Sequence, residues 1–287
     1  TLTQCTVANN SAPGVNSLGG AIYNLGTVSV VQSTIAQNGA GNGGGICSFN
    51  PLNITNSIIA GNTLNGSGVG PDIYNNASLT KTGANIVQSA IFNNGSITGT
   101  GTIANVNPLL ATIDFYGGPT QTMALLPGSP ARNAAVGSTS TSDQRGFAIT
   151  DGQPDIGAYE AGNVTNFNAW IYESLPASAN AIQHLSGSDF DGDGVSNYNE
   201  WLALTNPADP TSYFHVTNSF ISNGYLNVFF PTVTGRNYTV EYATELGNPT
   251  VWTVFETIPG NGGTGASAIG PLSPGLPHIF VHVRTGP

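Results

Sequence analysis

A repeat near the start of the sequence constrains the fold more than any other feature. Three segments align without gaps: LTQCTVANN at 2–10, VVQSTIAQN at 30–38 and ITNSIIAGN at 54–62. The intervals between them are 28 and 24 residues. An aliphatic column and an asparagine column run through all three segments and consist of Val7, Ile35 and Ile59, and of Asn10, Asn38 and Asn62. Intervals of this length predict a chain built from stacked, similar units.

Each repeat unit is predicted to hold at least two short strands. A second column, made of Ile22, Ile46 and Ile73, lies between glycine and asparagine residues that form turns, and no helical period is present. Aliphatic columns would form the core, while asparagine amides would bond to one another along the stack. We therefore predict an all-β fold in which residues 1–113 form a right-handed parallel β-helix, or β-solenoid. A β-sandwich would space its strands irregularly and give no such columns.

Composition excludes several classes of partner. Of 287 residues, 39% are hydrophobic and 7% are charged, and the formal net charge is -10. The hydrophobic content is too high for a disordered chain, and the few Lys and Arg residues exclude nucleic acids and anionic membranes. No apolar run approaches the roughly 18 residues of a transmembrane segment. The start shows no basic, apolar leader and reads as the middle of a strand, so we expect a processed or truncated chain.

Charged residues are almost absent from the predicted solenoid. Asp72 and Lys81 are the only ones among the first 113 residues. Solenoid enzymes that cleave polysaccharides need clustered carboxylates or basic groups to move protons and stabilise developing charge. We therefore expect no catalytic group here and a protein that is not an enzyme. Cys5 and Cys47 leave two alternatives open, which are one disulfide or two buried thiols.

From about residue 105 the repeat gives way to a turn-rich segment, of which we assign 114–162 to the end, or cap, of the solenoid. Its blocks are, in order, NPLL, GGPTQTMAL, GSPA, DQRG and DIGAYE. They resemble the end-of-solenoid segment of secreted bacterial β-helix proteins of the choice-of-anchor Q type, and the likeness covers roughly residues 1–160. Arg132 and Asn133 depart from that pattern. The resemblance implies an extracellular or cell-surface scaffold with no established reaction.

Four ionisable residues of this segment allow either an acid–base site or a structural network. They are Asp143, Arg145, Asp155 and Glu160. We favour the network, in which Arg145 pairs with Asp155 or Asp143 while the segment closes the end of the solenoid. Without closure, the last turn would present unpaired strand edges.

Residues 163–212 are predicted to form a helical junction. A short amphipathic helix is expected around residues 170–175, and the acidic loop DFDGDGVSNYNE follows at 189–200. A Trp-containing segment followed by such a loop resembles the C-terminal regions of secreted bacterial proteins.

The acidic loop matches the twelve-residue calcium loop at every demanding position. The predicted ligands are the carboxylates of Asp189, Asp191 and Asp193, the carbonyl of Val195, Asn197 through water, and a bidentate Glu200. Gly194 would make the sharp turn at the sixth position. The alternative, a solvated acidic loop, requires this spacing to arise by accident although the carboxylates repel one another.

The residues after the loop indicate what kind of calcium site this is. TNPADP at 205–210 resembles the ending of thrombospondin type 3-like and dockerin-like repeats, which implies a structural Ca²⁺ ion rather than a sensor. Extracellular modules of this kind bind calcium with dissociation constants of about 10⁻⁴ to 10⁻³ M. Asp209 is either a further ligand or a turn residue, and we favour the turn.

Residues 213–287 are predicted to form a C-terminal β-sandwich. Strand patterns are found at 213–222, 225–233, 237–246, 251–259 and 278–284, with a glycine-rich break at 260–270. His278 and His282 would lie about 13 Å apart on one strand, too far to share a metal ion. His184 and His215 have no companion serine or cysteine in an arrangement that suggests a hydrolytic triad.

Two functions are compatible with these features. We favour a secreted or cell-surface structural or adhesive protein that assembles head-to-tail into extracellular filaments and is stabilised by calcium. The alternative is a carbohydrate-active or glycan-binding protein, which would need a carboxylate cluster and aromatic residues along one exposed sheet face. The aromatic residues of the solenoid show no periodic placement in the sequence; they are Tyr23, Phe49, Tyr74 and Phe92.

Overall fold

The computed structural model describes residues 1–162, 164–247, 249–270 and 278–286. The chain divides into two units, Thr1–Ala179 and Asn180–Pro287. The predicted helix and the acidic loop of the junction therefore belong to different units. Residue 163, where the sequence places the start of the junction, and residues 271–277 of the predicted sandwich lie outside the described part of the chain.

Short strands dominate the first unit. In chain order they are β1 (Leu2–Thr3), β2 (Thr6–Ala8), β3 (Ile22–Asn24), β4 (Val28–Val31), β5 (Thr34–Ala36), β6 (Gly39–Ala40), β7 (Ile46–Ser48), β8 (Leu52–Thr55), β9 (Ile58–Ala60), β10 (Thr63–Leu64), β11 (Ile73–Asn75), β12 (Ser78–Thr82), β13 (Ala84–Val87), β14 (Phe92–Asn93), β15 (Ser96–Thr98) and β16 (Thr102–Ala104).

Successive turns of the chain contribute these strands to three parallel sheets. The sheet orders are β1-β4-β8-β12-β15, β2-β5-β9-β13-β16 and β3-β7-β11-β14, and β6 pairs with β10. Because every strand pairs with strands one turn away, the first unit is a parallel β-solenoid of about four turns. This confirms the fold that the repeat predicts.

The pairing register reproduces the columns seen in the sequence. Residues that face each other across neighbouring strands are Val7, Ile35 and Ile59 in one column and Ile22, Ile46 and Ile73 in the other. The aliphatic side chains inside the turns form one cluster of fully buried residues, which includes Val30, Ile35, Ile46, Leu52, Ile54, Ile59, Ile73, Leu79 and Val87. Burying each such side chain stabilises the fold by about 1.5–3 kcal/mol.

The two cysteines are free thiols rather than a disulfide. Cys47 is fully buried in β7, and burial raises the pKa of its thiol to about 11. Cys5 is only partly buried. The alternative with two free thiols therefore holds, although only one of them is buried.

Asparagine side chains form a hydrogen-bonded ladder along one corner of the solenoid. Asn10 donates from Nδ2 to Oδ1 of Asn38 (3.0 Å), and Asn38 donates likewise to Asn62 (3.0 Å). Asn62 then donates to Oδ1 of the fully buried Asp72 (2.9 Å), whose other oxygen accepts from the Ser89 amide. The ladder confirms the predicted role of the corner asparagines. It also explains the only acidic residue among the solenoid strands, because the carboxylate accepts the last amide proton.

The segment assigned to the cap packs along the side of the solenoid. Three successive turns contact it, because Thr6 bonds to Thr122 (2.8 Å), Thr34 accepts from the Ala158 amide, and the Asn56 carbonyl accepts from the Gly157 amide. Its apolar residues share a buried cluster with β9 and β13, formed by Ile58, Ala60, Ile86, Ala111, Tyr116, Ala124, Leu125, Ala131, Ile156, Tyr159 and Ala169.

This lateral packing corrects the expectation that residues 114–162 close the end of the solenoid. The contacts cover the outer face of β5, β9 and β13, while β14 and β15 are exposed along their whole length. The physical reason is that this sheet carries apolar side chains outward, among them Ile58, Ala60 and Ile86, and a covering layer of apolar residues removes them from water.

One helix completes the first unit. Helix α1 (Phe167–Ser174) begins after Asn166, whose side chain accepts a hydrogen bond from the Ala169 amide (2.9 Å). The bond satisfies one of the free amides of the first turn. The helix ends before Leu175, so the predicted helix exists but starts three residues earlier than residue 170.

The second unit contains helix α2 (Asn197–Ala203) and two antiparallel sheets. The strands are β17 (Asn218–Ser222), β18 (Tyr225–Pro231), β19 (Asn237–Ala243), β20 (Thr253–Pro259), β21 (Thr264–Ile269) and β22 (Phe280–Gly286). Their orders are β17-β18-β21 and β20-β19-β22, and both sheets contribute to one buried cluster. Strand β21 lies where the sequence suggests a glycine-rich break. Its Gly265 is so close to the Phe230 ring that a Cβ atom there would lie 2.7 Å from Cε2 of the ring.

No helix among the described residues combines the length and the apolar composition needed to cross a bilayer.

We predict that Asn38→Ala lowers the free energy of unfolding of the solenoid by about 2 kcal/mol. The substitution leaves buried amides and carbonyls without partners, since Asn38 accepts from the Asn10 amide and donates to Asn62. Asn94→Ala is the control, because Asn94 is exposed and its side chain donates to Asn76 at the surface. Urea unfolding followed by circular dichroism measures both variants. Equal losses in the two would contradict the role of the ladder.

Candidate metal centre

The acidic loop lies immediately before α2, and its own backbone holds its shape. Asp189 accepts hydrogen bonds from the amides of Gly192 (2.7 Å) and Gly194 (2.9 Å). Both glycines have positive φ angles, 81° and 92°, which other residues rarely adopt. Asp193 accepts from the Val195 amide (2.7 Å). The loop therefore folds around the carboxylate of Asp189, its first residue.

Three carboxylates converge inside this loop. One oxygen from each of Asp189, Asp191 and Asp193 lies within 4.8 Å of the other two. Calcium binds oxygens at 2.3–2.6 Å, so two ligands of one ion are at most about 5 Å apart. The Oδ2 atoms of Asp191 and Asp193 are buried without a hydrogen-bond partner. The donor set and its spacing fit a calcium ion.

Glu200 adds a fourth carboxylate from the first turn of α2. It is completely buried, and neither of its side-chain oxygens has a hydrogen-bond partner. Burial, followed by the charges of Asp191, Asp193 and Asp189, raises the pKa of Glu200 from 4.5 to about 8. Burial and the neighbouring charges of Asp193 and Asp189 also raise the pKa of Asp191. A cation would offset these costs, because it stabilises the ionised forms.

Asn197 makes contacts that the sequence did not predict. Its Nδ2 donates to the carbonyls of Gln183 (2.7 Å) and Leu185 (3.1 Å), and its Oδ1 lies 3.3 Å from the Phe190 amide. The fully buried side chain therefore fastens the preceding segment to α2, and its binding of calcium through water stays a prediction. The sequence offered no signal for this contact, because its partners are backbone groups.

Two further positions were considered as calcium ligands, Val195 and Asp209. The backbone amide of Val195 donates a hydrogen bond to Asp193. That the Val195 carbonyl binds calcium stays a prediction. Asp209 accepts from both the amide and the hydroxyl of Thr211, which lowers the pKa of the exposed carboxyl. These bonds form a turn, which is the role that we favoured over calcium binding.

The histidines contact groups other than one another. His184 and His215 each lie near a backbone carbonyl, that of Asn180 (2.8 Å) and that of Tyr213 (3.1 Å). Nδ1 of His282 lies 3.5 Å from Oε2 of Glu241.

Residues 114–162, here called the lateral segment, contain a buried network of Asp143, Asp155 and Glu160 around Arg145. Its guanidinium bonds to Asp143 (2.7 Å), to the carbonyls of Tyr116 (3.1 Å) and Glu160 (2.5 Å), and lies 3.8 Å from the centre of the Tyr159 ring. This confirms the pairing of Arg145 with Asp143. The contacts order this segment, since they join residues 143–145 to Tyr116 and to residues 159–160.

Asp155 and Glu160 complete the network through backbone amides. Asp155 accepts from the amides of Asn133 (2.5 Å) and Ala161 (2.6 Å), and Glu160 accepts from the amide of Asp155 (2.9 Å). Burial is the main cause that raises the pKa of Asp155 to about 6 and that of Glu160 to about 7. Because their oxygens bind local backbone groups, the two carboxyls have structural roles.

The aromatic residues of the solenoid lie in one row, which corrects our statement that their placement is not periodic. The ring centres are 6.0 Å apart from Tyr23 to Phe49, 6.0 Å from Phe49 to Tyr74 and 5.2 Å from Tyr74 to Phe92. The sequence hides the row because Phe49 lies two residues beyond Cys47, which occupies the column position itself. Three of the rings are also exposed to solvent, Tyr23 by 48%, Phe49 by 37% and Phe92 by 37%, so the row meets one of the two conditions for the glycan-binding alternative.

Comparisons with protein-family models, with curated proteins and with solved structures find no match to this chain. The resemblance to choice-of-anchor Q proteins and to thrombospondin type 3-like and dockerin-like repeats therefore rests on the sequence blocks alone.

We predict that Glu160→Gln stabilises the first unit at pH 8 and has little effect at pH 5. The pKa of Glu160 is higher in the folded state than in the unfolded state. The stability that its protonated carboxyl contributes to the fold is therefore fully present below the unfolded value of 4.5 and is lost as the pH rises through about 7. The glutamine side chain keeps an acceptor for the Asp155 amide without the charge. Thermal melts at the two pH values measure the effect, with the exposed Glu245→Gln as control. An equal effect of Glu160→Gln at both pH values would contradict this assignment.

Proposed function

We propose that the chain is an extracellular or cell-surface structural or adhesive protein, in which a rigid solenoid precedes a unit stabilised by calcium. The solenoid supports this proposal because its polar groups serve the stack itself. The asparagine ladder, the aromatic row and the Arg145 network each use their side chains to join neighbouring turns or segments. Repeated contacts between neighbours make solenoids long and stiff.

The calcium site rests on one observation above all. Glu200 is completely buried, has no hydrogen-bond partner for either oxygen, and lies in the field of three aspartates. A buried carboxylate without a partner is strongly unfavourable, and a calcium ion supplies the missing charge and ligands. Asp189, Asp191, Asp193 and Glu200 would hold the ion. Its role would be structural, because the loop adjoins α2, whose Trp201 carbonyl accepts a bond from Arg236 (3.2 Å).

An extracellular location would provide enough calcium for such a loop. Single loops of this kind bind calcium in the range of about 10⁻⁴ to 10⁻³ M, which is met outside cells. The proposal also agrees with the resemblance to secreted β-helix proteins that the sequence blocks carry.

Self-association is the second part of the proposal. The last turn of the solenoid exposes β14 and β15, and each of β14, β15 and β16 pairs on one side only. Unpaired parallel edges accept strands from another chain. The solenoid carries little charge, because Asp72 and Lys81 are the only charged residues up to residue 113. Contacts that do not close a ring give filaments.

The calcium proposal predicts one bound ion per chain. Titration calorimetry after removal of metal should give a dissociation constant of about 10⁻⁴ to 10⁻³ M. Calcium at ten times this constant should raise the free energy of unfolding of the second unit by about 1.4 kcal/mol. Tryptophan fluorescence follows the melting, since two of the three tryptophans, Trp201 and Trp252, belong to this unit. Melting that is identical with calcium and with chelator would remove the proposal.

Glu200→Gln separates the metal site from a simple acidic loop. Without calcium the variant should be at least as stable as the natural chain, because the buried charge is gone. With calcium the order should reverse, because a ligand is lost. Asp209→Asn is the matched control and should keep both calcium binding and stability, since its carboxyl serves a turn. The same order of stabilities in both conditions would contradict the site.

The proposal of self-association predicts that the purified chain forms elongated particles in millimolar calcium. Negative-stain electron microscopy and sedimentation velocity over a range of protein concentrations measure this. Uniform single-chain particles at all concentrations would count against it.

A further inference from the structure

Lys81 occupies a position that belongs to the core of the solenoid. In the register of the first sheet it pairs with Ile54, which itself pairs with Val30. Both of these aliphatic side chains are fully buried. Lys81 is also the only lysine in the sequence. A charged side chain thus replaces the aliphatic residue of the column in the next turn.

The lysine side chain reaches toward the last turn. Its Nζ donates to the carbonyl of Gly101 and lies 3.4 Å from the carbonyl of Gly99. Both contacts are with backbone oxygens, and no salt bridge within the described ranges involves Lys81. The ammonium is therefore bound by dipoles and remains partly open to water, as its intermediate exposure indicates.

The last turn leaves this end of the solenoid open. Residues of the last turn lie 18 positions after their partners in the turn before, against 24 to 28 positions in earlier turns, so the last turn encloses less space. Around the ammonium lies an open depression of about 530 Å³ with an apolar floor. By the floor we mean the apolar part of the lining, which is Ala90, Ile91, Ile97 and Ile103; Thr102 and Asn105 also line the depression. Ile97 is 41% exposed, although its partner Leu79 is fully buried.

A further turn stacked on this end would cover the depression. It would gain backbone hydrogen bonds and bury the isoleucines, but it would also bury the ammonium. An isolated buried charge is costly unless it is paired, and an inward-pointing charge is a known means of protecting a sheet edge. The apolar floor and the strand edges therefore favour addition, while Lys81 opposes it.

We propose that Lys81 is a stop residue that limits the stacking of a second copy of this chain on the last turn of the solenoid. The inference uses the proposed self-association only for the identity of the partner. The proposal names a second copy as the occupant, because its own parallel sheets end in edge strands of the same kind and its solenoid carries no charged residues besides Asp72 and Lys81 up to residue 113. With Lys81 in place, stacking is weak and reversible.

Lys81→Met tests this proposal, because methionine keeps the length of the side chain and removes the charge. We expect the apparent dissociation constant for self-association to fall at least about tenfold in sedimentation velocity and light scattering. Lys81→Arg is the matched control and should associate no more than the natural chain. A folded Lys81→Met variant with the same mass distribution as the natural chain would overturn the proposal.

A second experiment moves the positive charge from residue 81 to residue 97. Ile97→Lys in the Lys81→Met background places an ammonium back in the same depression. This double variant should return to the association of the natural chain. If it associates as strongly as Lys81→Met alone, the charge at this end is not what limits stacking.

Acetylation of the natural chain covers the case in which Lys81→Met does not fold. The reagent modifies only the amino terminus and the single lysine, so acetylated Lys81→Arg controls for the terminus. Stronger association of the acetylated natural chain alone supports the stop residue, and unchanged association contradicts it.

The outcomes also separate this inference from the proposed self-association. Single particles of the natural chain together with association of the uncharged forms would refute the filament proposal and keep the stop residue. Association of the natural chain that neutralisation leaves unchanged would do the reverse.

Discussion

Hydrogen bonding between successive turns is the constraint on which the solenoid depends. A strand of two to five residues has no stability alone, and here each strand pairs with its counterpart one turn away. The pairing fixes the register, so residues at equivalent positions form columns. Aliphatic columns inside make the core, while the column at one corner becomes the ladder of Asn10, Asn38 and Asn62. A side chain that breaks a column therefore affects the turns on both sides of it.

Three charged residues of the first unit have distinct positions. Asp72 accepts the last amide proton of the asparagine ladder, and Arg145 joins parts of the lateral segment. Lys81 lies in the core column at the open end. Asp72 and Arg145 are buried and held by hydrogen bonds, whereas Lys81 is partly open to water. In the second unit the pattern is the opposite, since Asp189, Asp191, Asp193 and Glu200 are crowded together.

The sequence predicted the local features of the candidate metal centre better than its surroundings. Spacing alone placed Asp189, Asp191 and Asp193 around one point, since a short loop with glycine turns has little freedom. It could not place Asn197, because that side chain binds the backbone carbonyls of Gln183 and Leu185. Every residue has a backbone carbonyl, so the sequence does not indicate which of them a side chain contacts. The aromatic row was missed for a related reason, since one ring reaches the column from a neighbouring position.

What the sequence by itself determined is the stacked architecture and the acidic loop, because both depend on intervals along the chain that a reader can count. Only the tertiary structure decided that residues 114–162 lie along the side of the solenoid and that Lys81 points into an end left open. Such outcomes depend on which apolar surface a distant segment covers. Several surfaces can compete for the same segment, and the most favourable burial is settled only when the whole chain has folded.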